Sequence, residues 1–282
     1  RIPSAGQMSD RIQSRAETEH ALRARTLKLR AQIRTGNNAV FVADVLPAGE
    51  GSAESVRCIY KPIRGERALW DFPDRHLAPR EVAAYLVDCA AGWELVPPTV
   101  LRDWPFGPGS CQLWIPHLEG AAPSFDVCAV DEVPAGWRIV ATGVAEEENE
   151  EPREVALAHA DDPRLARMAL FDAVINNADR KAGHVLPEGG RLWAIDHGVS
   201  FHSDPKLRTV LWGWAGEPLP EGMLEALRVI GSALAGELGA ELVRLLSDDE
   251  IVATKERVSR LLAERIFPLP NGRWPALPYP LF

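Results

Sequence analysis

The chain has 282 residues, a length that fits one large domain or two lobes. Hydrophobic residues make up 46% and charged residues 25% of the chain, values typical of a globular protein that buries a large core without disulfides. The 31 Lys and Arg against 40 Asp and Glu leave a formal net charge of -9. A sequence-independent nucleic-acid binder needs a basic surface, so we expect no nucleic-acid partner.

The hydropathy pattern indicates the compartment. The sequence has no apolar run of the roughly 18 residues that a membrane span requires. Its polar, basic N-terminal stretch lacks the apolar segment of a signal peptide. We therefore expect a cytoplasmic protein without a transmembrane segment, and peripheral contact with a membrane stays open.

The four cysteines lie far apart in the sequence and form no C-x-x-C pair. A zinc knuckle needs ligands at close spacing, and a disulfide scaffold needs more cysteine per residue. We therefore expect buried free thiols at Cys58, Cys89, Cys111 and Cys128.

The N-terminal part predicts a β-rich lobe over residues 27–118, preceded by a flexible tail over residues 1–26. Alternating apolar and polar residues indicate strands, and apolar residues at helical spacing between Ala78 and Gly92 indicate one helix that ends at the glycine. The predicted order is β-β-β-α-β-β, with strands over residues 27–33, 39–46, 55–63, 98–103 and 110–118.

Residues 119–282 predict a mainly helical second lobe. Its first part, residues 119–163, contains Pro, Asp and the acidic run EEENEEPRE, and we interpret it as a solvated surface loop. An apolar helix over residues 163–177 and a short hairpin over residues 183–198 follow, and then three amphipathic helices. The expected fold class is α+β, with a β-rich N-lobe and a helical C-lobe.

The densest polar cluster is the segment NNADRKAGH, residues 176–184. Asp179 leads into one strand of the predicted hairpin and Asp196 follows the other, so we expect both carboxylates and His184 to converge at one end of it. Such groups hold a divalent cation or act as a base. The alternative is structural: Asp179 pairs with Arg180 or caps a turn, and Asp196 forms a turn with Gly198.

A second candidate group lies in the N-lobe. Lys61 ends an apolar strand, and Glu81 lies in the first turn of the following helix. A lysine held by a helix glutamate, facing two aspartates across a cleft, has the electrostatics needed to bind ATP. The alternative is a surface lysine and a glutamate that only complements the helix N-terminus.

These residues resemble a known superfamily. The order Lys61, Glu81, Asp179-Arg180, His184, Asp196-x-Gly198 is similar to that of the phosphatidylinositol 3-/4-kinase superfamily of atypical kinases, to which HipA-type bacterial kinases and Golgi secretory-pathway kinases are related. More narrowly, the chain resembles an actinobacterial family known by its likeness to phosphatidylinositol 3- and 4-kinases. The resemblance spans residues 27–265, and NNADRKAGH and IDHGVSFH carry it most specifically.

The resemblance implies a bilobed atypical kinase fold that uses ATP with Mg²⁺ or Mn²⁺. Asp179 corresponds to the catalytic aspartate that orients the acceptor hydroxyl, and Asp196 to the metal-binding aspartate. Lys61 corresponds to the lysine on the α- and β-phosphates, with Glu81 as its partner. The lobe-joining hinge, whose backbone binds adenine, corresponds to residues 112–117 and includes Trp114 and Ile115.

Three departures from the superfamily pattern affect the predicted site. His184 stands where the superfamily has a metal-binding Asn, and imidazole suits softer metals than Mg²⁺, which favours Mn²⁺. Lys181 replaces a histidine and adds a positive charge beside the transferred phosphoryl group. No G-x-G-x-x-G motif is present, so the turn at residues 35–38, with Asn37 and Asn38, is expected to hold the phosphates.

The segment after Asp196 occupies the position of an activation loop. Its basic pair, Lys206 and Arg208, could bind an anionic acceptor, and the indoles of Trp212 and Trp214 could pack on a ring or lipid. The alternative is that the tryptophans fill the C-lobe core and the basic pair balances local acids.

Together these residues predict an ATP-dependent phosphotransferase with a metal cofactor. Its partners would be the nucleotide and an unidentified hydroxyl-bearing acceptor, either a small polyol or inositol-type molecule, a lipid or a protein. Two other functions stay open. One is a pseudokinase or nucleotide-sensing module without turnover, and the other is a nucleotidyl transferase that attaches AMP to an acceptor.

Overall fold

The computed structural model describes residues 14–33, 39–47, 56–72, 76–116, 124–145 and 152–282. Its helices are α1 (Arg15–Ala24), α2 (Leu77–Ala91), α3 (Pro163–Ile175), α4 (Glu221–Leu234), α5 (Glu237–Leu242) and α6 (Asp248–Glu264). Its strands are β1 (Leu27–Ile33), β2 (Val40–Val45), β3 (Val56–Pro62), β4 (Thr99–Trp104), β5 (Gly107–Leu113), β6 (Phe125–Ala129), β7 (Trp137–Ala145), β8 (Arg153–Ala160), β9 (Val185–Glu188) and β10 (Arg191–Ala194).

The N-terminal sheet has five antiparallel strands in the order β1-β2-β3-β5-β4. Each strand was predicted from its alternating pattern, and the order β-β-β-α-β-β is confirmed from β1 to β5. Alternate residues of the central strands are buried, among them Cys58 and Tyr60 in β3. The next position of that strand, Lys61, therefore projects from the opposite face of the sheet.

The flexible tail predicted over residues 1–26 is wrong for residues 15–24, which form α1. The Ser14 side chain accepts a hydrogen bond from the Glu17 N–H, and the Glu17 carboxylate accepts one from the Ser14 N–H. This capping box was the overlooked signal for a helix start. Ala21 and Leu22 are buried against the N-terminal sheet, because α1 supplies apolar side chains to that core.

The prediction of a surface loop over residues 119–163 is also wrong for most of the residues in this range that the structure describes. Residues 125–160 contain an antiparallel sheet of order β6-β8-β7. The inner strand β8 buries Ala156, Leu157 and Ala158. The small side chains of β8 make its sequence only weakly hydrophobic, although the strand lies between β6 and β7. Residues 117–123, with the predicted lobe boundary, and residues 146–151 of the acidic run lie outside the described residues.

Helix α2 joins the two halves of the molecule. It packs on β4 and β5 and also contributes Ala83, Tyr85 and Val87 to the core of the C-terminal half. The helix ends at Gly92, whose φ of 66° is the left-handed conformation that glycine adopts without a Cβ penalty, as the sequence predicts. A rigid α2 therefore fixes Glu81, in its second turn, relative to both halves.

The C-terminal half follows the predicted order. Helix α3 is followed by the β9–β10 hairpin, in which Leu186 pairs with Trp193, and by helices α4, α5 and α6. Leu227 of α4 and Val258 of α6 are among the residues that close its core. Among the described residues, no helix is both long and apolar enough to cross a membrane.

The cysteines follow the sequence expectation in part. All four are free thiols. Cys58 and Cys111 are buried in the N-terminal sheet, whereas Cys89 and Cys128 are only partly covered.

The α1 helix gives a direct test of the corrected N-terminus. Leu22→Ala removes a fully buried side chain and should lower the free energy of unfolding by about 2–4 kcal/mol because it leaves a cavity. Leu29→Ala is the matched control, since Leu29 is 39% exposed in neighbouring β1, and it should cost under about 1 kcal/mol. Urea unfolding measures both. Equal effects would mean that α1 does not pack on the sheet.

Candidate active site

One ammonium group joins two carboxylates at the centre of the cleft. Lys61 Nζ lies 2.5 Å from Glu81 Oε1 and 2.9 Å from Asp196 Oδ1. Burial by itself lowers the pKa of Lys61, but the carboxylates of Asp196 and Glu81 outweigh it and raise that pKa above its ordinary value. The lysine is therefore a fixed positive charge held by α2 on one side and by the segment after β10 on the other.

Asp196 lies at the end of β10, where the backbone turns sharply. Its φ of 62° is left-handed, a conformation that Asp tolerates better than most residues. The charge of Lys61 holds the pKa of Asp196 well below its usual range, so the carboxylate stays ionised. Its side chain remains half-exposed to the cleft, which leaves an anionic oxygen accessible to a cation.

His184 is the second group on this side of the cleft. Its Nε2 lies 3.4 Å from Asp196 Oδ2. Burial lowers the pKa of His184 to about 4, so the imidazole is neutral near pH 7. A neutral imidazole and an ionised carboxylate that face the same space suit a divalent cation. The described residues contain no cluster of three such ligands, so a cation here would need phosphate oxygens or water as well.

Asp179 and Lys181 form the other side of the site. Lys181 Nζ lies 3.1 Å from Asp179 Oδ2, and the Asp179 N–H donates to Asn177 Oδ1 at 3.0 Å. Burial raises the pKa of Asp179, although Lys181 opposes the shift. The negative charge of the Asp196 carboxylate raises the pKa of Asp179 further. A carboxylate with a raised pKa is a stronger base for a hydroxyl proton.

A fully buried arginine, Arg180, anchors the loop at residues 176–184 to helix α3. The Arg180 guanidinium pairs with both carboxylate oxygens of Asp172 and donates to the Ile195 carbonyl at 3.0 Å. Arg180 therefore does not pair with Asp179, the structural alternative that the sequence left open. Asp172 is not among the residues predicted for the site, although a lone acidic residue in the apolar helix α3 is a visible sequence signal.

The sequence has a well-matched curated relative. No protein-family model matches the chain. The chain is 43% identical over 272 residues to Protein Rv2133c of Mycobacterium tuberculosis (strain ATCC 25618 / H37Rv), an alignment that covers 94% of this chain and 96% of that protein. The chain belongs to the Rv2133c family.

Solved structures reveal the fold of this Rv2133c-family chain. The Golgi casein kinase aligns over 93% of this chain and 75% of its own, with a TM-score of 0.50 and 16% identity. The Golgi casein kinase with Mn/ADP bound aligns over 98% and 81%, with a TM-score of 0.54 and 17% identity. The predicted α+β, bilobed, atypical kinase-like fold is therefore confirmed. Membership of the phosphatidylinositol 3-/4-kinase superfamily stays a prediction.

Three of the four predicted acceptor-binding residues of this Rv2133c-family chain are engaged by other groups of the protein. Lys206 is only 3% exposed, and its Nζ lies 3.6 Å from Asp71 Oδ2. Trp214 is buried in the C-terminal core, and the Trp212 indole N–H donates to the Ala276 carbonyl. These residues follow the structural alternative, because burial of indoles and of the lysine stem against apolar neighbours stabilises the fold.

Arg208, the fourth predicted acceptor-binding residue, lies close to Asp179. Its charge lowers the pKa of Asp179, and its Nη2 lies 3.4 Å from Asp71 Oδ2. Trp70, next to Asp71 in the chain, is 76% exposed and packs at a tilt against Trp274, with ring centroids 5.6 Å apart. Asp71 and Trp70 are not among the residues predicted for the site, since only the folded chain brings Asp71 beside Arg208.

The hinge segment runs along the end of β5. The Trp114 N–H donates to the Arg57 carbonyl at 3.0 Å, so that group belongs to the sheet. Ile115 is buried, and its N–H has no backbone partner among the described residues. His117 and the turn at residues 35–38, including Asn37 and Asn38, lie outside the described residues.

The neutral state of His184 predicts a pH effect on stability. The unfolded chain takes up a proton below about pH 6.5, whereas the folded protein resists it until about pH 4. Because the unfolded state binds more protons there, the free energy of unfolding falls as the pH drops through this window. From pH 7 to pH 5 the wild type should lose about 1–2 kcal/mol more than His184→Asn. Urea unfolding at both pH values measures this, and parallel losses would contradict it.

Proposed function

We propose that this chain is an ATP-dependent phosphotransferase that moves the γ-phosphate of ATP to a hydroxyl acceptor. The observation that carries the proposal is the Lys61 ammonium held between Glu81 and Asp196, with the Asp179 carboxylate close enough for the Asp196 charge to raise its pKa. Phosphoryl transfer depends on positioning and on charge stabilisation, and this arrangement offers both signs of charge at fixed places. The kinase-like fold supports the same function.

Each charged group then has a role. Lys61 neutralises the α- and β-phosphates, and Glu81 keeps it oriented when the phosphates replace Asp196 as its partner. Asp196 and His184 hold Mg²⁺ or Mn²⁺, a cation that neutralises phosphate charge. Asp179 accepts the proton of the acceptor hydroxyl, and Lys181, 3.1 Å from it, offsets negative charge that develops on the transferred group.

The nucleotide base is proposed to bind at the hinge, residues 112–117. The Ile115 N–H is the hinge group best suited to donate to adenine, because the Trp114 N–H already serves the sheet. Trp114 can then contact the nucleotide base only through its backbone carbonyl and its partly exposed indole. Asn37 and Asn38 are proposed to contact the phosphates, on sequence grounds alone.

The acceptor side offers one accessible cation and one exposed aromatic ring. Arg208 lies near Asp179 and pairs with Asp71, and the exposed Trp70 is the neighbour of Asp71 in the chain. A hydroxylated acceptor with an anionic group could contact both. Small polyols, inositol-type molecules, lipids and proteins all carry such hydroxyls, and membership of the phosphatidylinositol 3-/4-kinase superfamily is part of this proposal.

A pseudokinase is the second candidate function, and two observations favour it. His184 stands where the resembling superfamily has a metal-binding Asn, and the Lys61–Asp196 ion pair must open before nucleotide can bind. Such a protein would bind ATP with a metal ion and release it unchanged.

Product analysis separates these functions. We expect purified protein with ATP and Mg²⁺ or Mn²⁺ to form ADP, and Asp179→Ala and Asp196→Asn to lower the rate by about 10³-fold or more, because each removes a group that acts in the transition state. Asp248→Asn, on the exposed first turn of α6, is the matched control and should keep the wild-type rate. Intact ATP despite metal-dependent binding would favour the pseudokinase.

The metal preference tests the role of His184. Imidazole favours Mn²⁺ over Mg²⁺ more than an amide does. We therefore expect the wild type to be more active with Mn²⁺, and His184→Asn to shift the ratio of the two rates toward Mg²⁺. The affinity for each metal, measured by calorimetry in the presence of a non-hydrolysable ATP analogue, should shift in the same direction. An unchanged ratio would remove His184 from the metal site.

A further inference from the structure

A second buried histidine lies directly after Asp196. The side chain of His197 is fully buried, and its ring packs edge-on against Phe171 of α3, with ring centroids 5.5 Å apart. Neither the nucleotide nor the acceptor can touch a group buried in this way. Its polar atoms nonetheless face two parts of the site.

The first partner of His197 is the arginine of the catalytic loop. His197 Nε2 lies 2.8 Å from Arg180 Nη2. Arginine has donors only, so Nε2 must be the acceptor and must carry no proton. The ring proton is then on Nδ1, which lies 3.9 Å from Glu81 Oε2 and has no hydrogen-bond partner among the described residues.

The second partner is the glutamate that orients Lys61. The His197 backbone N–H donates to Glu81 Oε2 at 3.0 Å, while Glu81 Oε1 accepts from Lys61. One residue therefore contacts both halves of the site. Through its main chain it fixes the carboxylate of Glu81, and through its ring it fixes the guanidinium that follows Asp179 in the chain.

We propose that His197 is a positioning residue that holds the Lys61–Glu81 pair and the Asp179 loop in one geometry by accepting a hydrogen bond from Arg180. The inference rests on the phosphotransferase function proposed above. The neutral His197 ring accepts a hydrogen bond from Arg180 while it is packed between groups that do not move. An aromatic ring without a nitrogen would fill the same space, but it would leave one N–H donor of Arg180 buried without an acceptor. An unpaired buried charged donor shifts or reorients until it finds water, and the loop shifts with it.

Three substitutions separate the acceptor from the bulk of the ring. His197→Phe keeps the ring and removes the acceptor, His197→Gln places a carbonyl near the position of Nε2, and His197→Asn is too short to reach Arg180. We expect Phe and Asn to lower kcat for ADP formation by about 10- to 100-fold, the effect of losing one hydrogen bond to a buried charged group. Gln should restore the rate to within about 5-fold of wild type.

The Michaelis constant for ATP distinguishes positioning from simple loss of folded protein. A smaller folded fraction lowers the maximal rate and leaves KM unchanged, whereas a displaced Lys61 raises KM as well. We therefore expect Phe and Asn to raise the KM for ATP and Gln to reverse that rise. A Phe variant with wild-type kcat and KM would overturn the inference, as would a Gln variant no better than Phe.

Nitrogen NMR of the histidine rings tests the same hydrogen bond without turnover. In ¹⁵N-histidine-labelled wild type, the ring whose signals vanish in His197→Gln should be protonated on Nδ1 and unprotonated on Nε2 at pH 7. A proton on Nε2 would overturn the inference. Wild-type protein that shows the expected tautomer but forms no ADP would contradict the phosphotransferase proposal and limit His197 to holding Arg180 and Glu81 together.

Discussion

The cleft depends on one lysine charge shared between two carboxylates. Lys61 comes from β3, Glu81 from α2 and Asp196 from the end of β10, so a single ammonium group joins elements of both halves. Removing Lys61 would leave both carboxylates without their counter-ion, and the buried Glu81 would then carry an unpaired charge, which costs several kcal/mol in proteins. The sheet, the long helix and the hairpin are therefore held in register by the same charges that the proposed chemistry requires.

The loop at residues 176–184 is held by a buried ion pair. Arg180 is fully covered and pairs with Asp172, which lies one turn before the end of α3. That pair leaves the neighbouring Asp179 facing the cleft, with Lys181 as its immediate partner. The site thus combines a buried Arg180–Asp172 ion pair beneath the loop with the partly exposed carboxylates of Asp179 and Asp196 above it. Such pre-organisation avoids reorganising charges at the moment of reaction, which is how phosphoryl-transfer sites gain rate.

The parts of the structure that sequence alone could predict are those with local patterns. The five strands of the N-terminal sheet and α2 follow from periodicity, and the proximity of His184 to Asp196 follows from the hairpin between them. Helix α1 was overlooked although its capping box is a local signal, whereas the other failed predictions depend on non-local contacts. Lys206 pairs with Asp71, far upstream, and lies 4.6 Å from the Trp274 ring, downstream, so its burial depends on contacts that no local window contains. The small residues of β8 likewise became recognisable only between their paired strands.

The most direct test follows the label of ATP. Purified protein and a cell extract would be incubated in parallel with ATP labelled at the γ- or the α-phosphorus, beside Lys61→Met and Asp179→Ala variants. The account predicts that γ-label enters an acceptor while ADP accumulates, that α-label does not transfer, and that both variants abolish the transfer. Transfer of α-label with release of pyrophosphate would instead show nucleotidyl transfer and contradict the account.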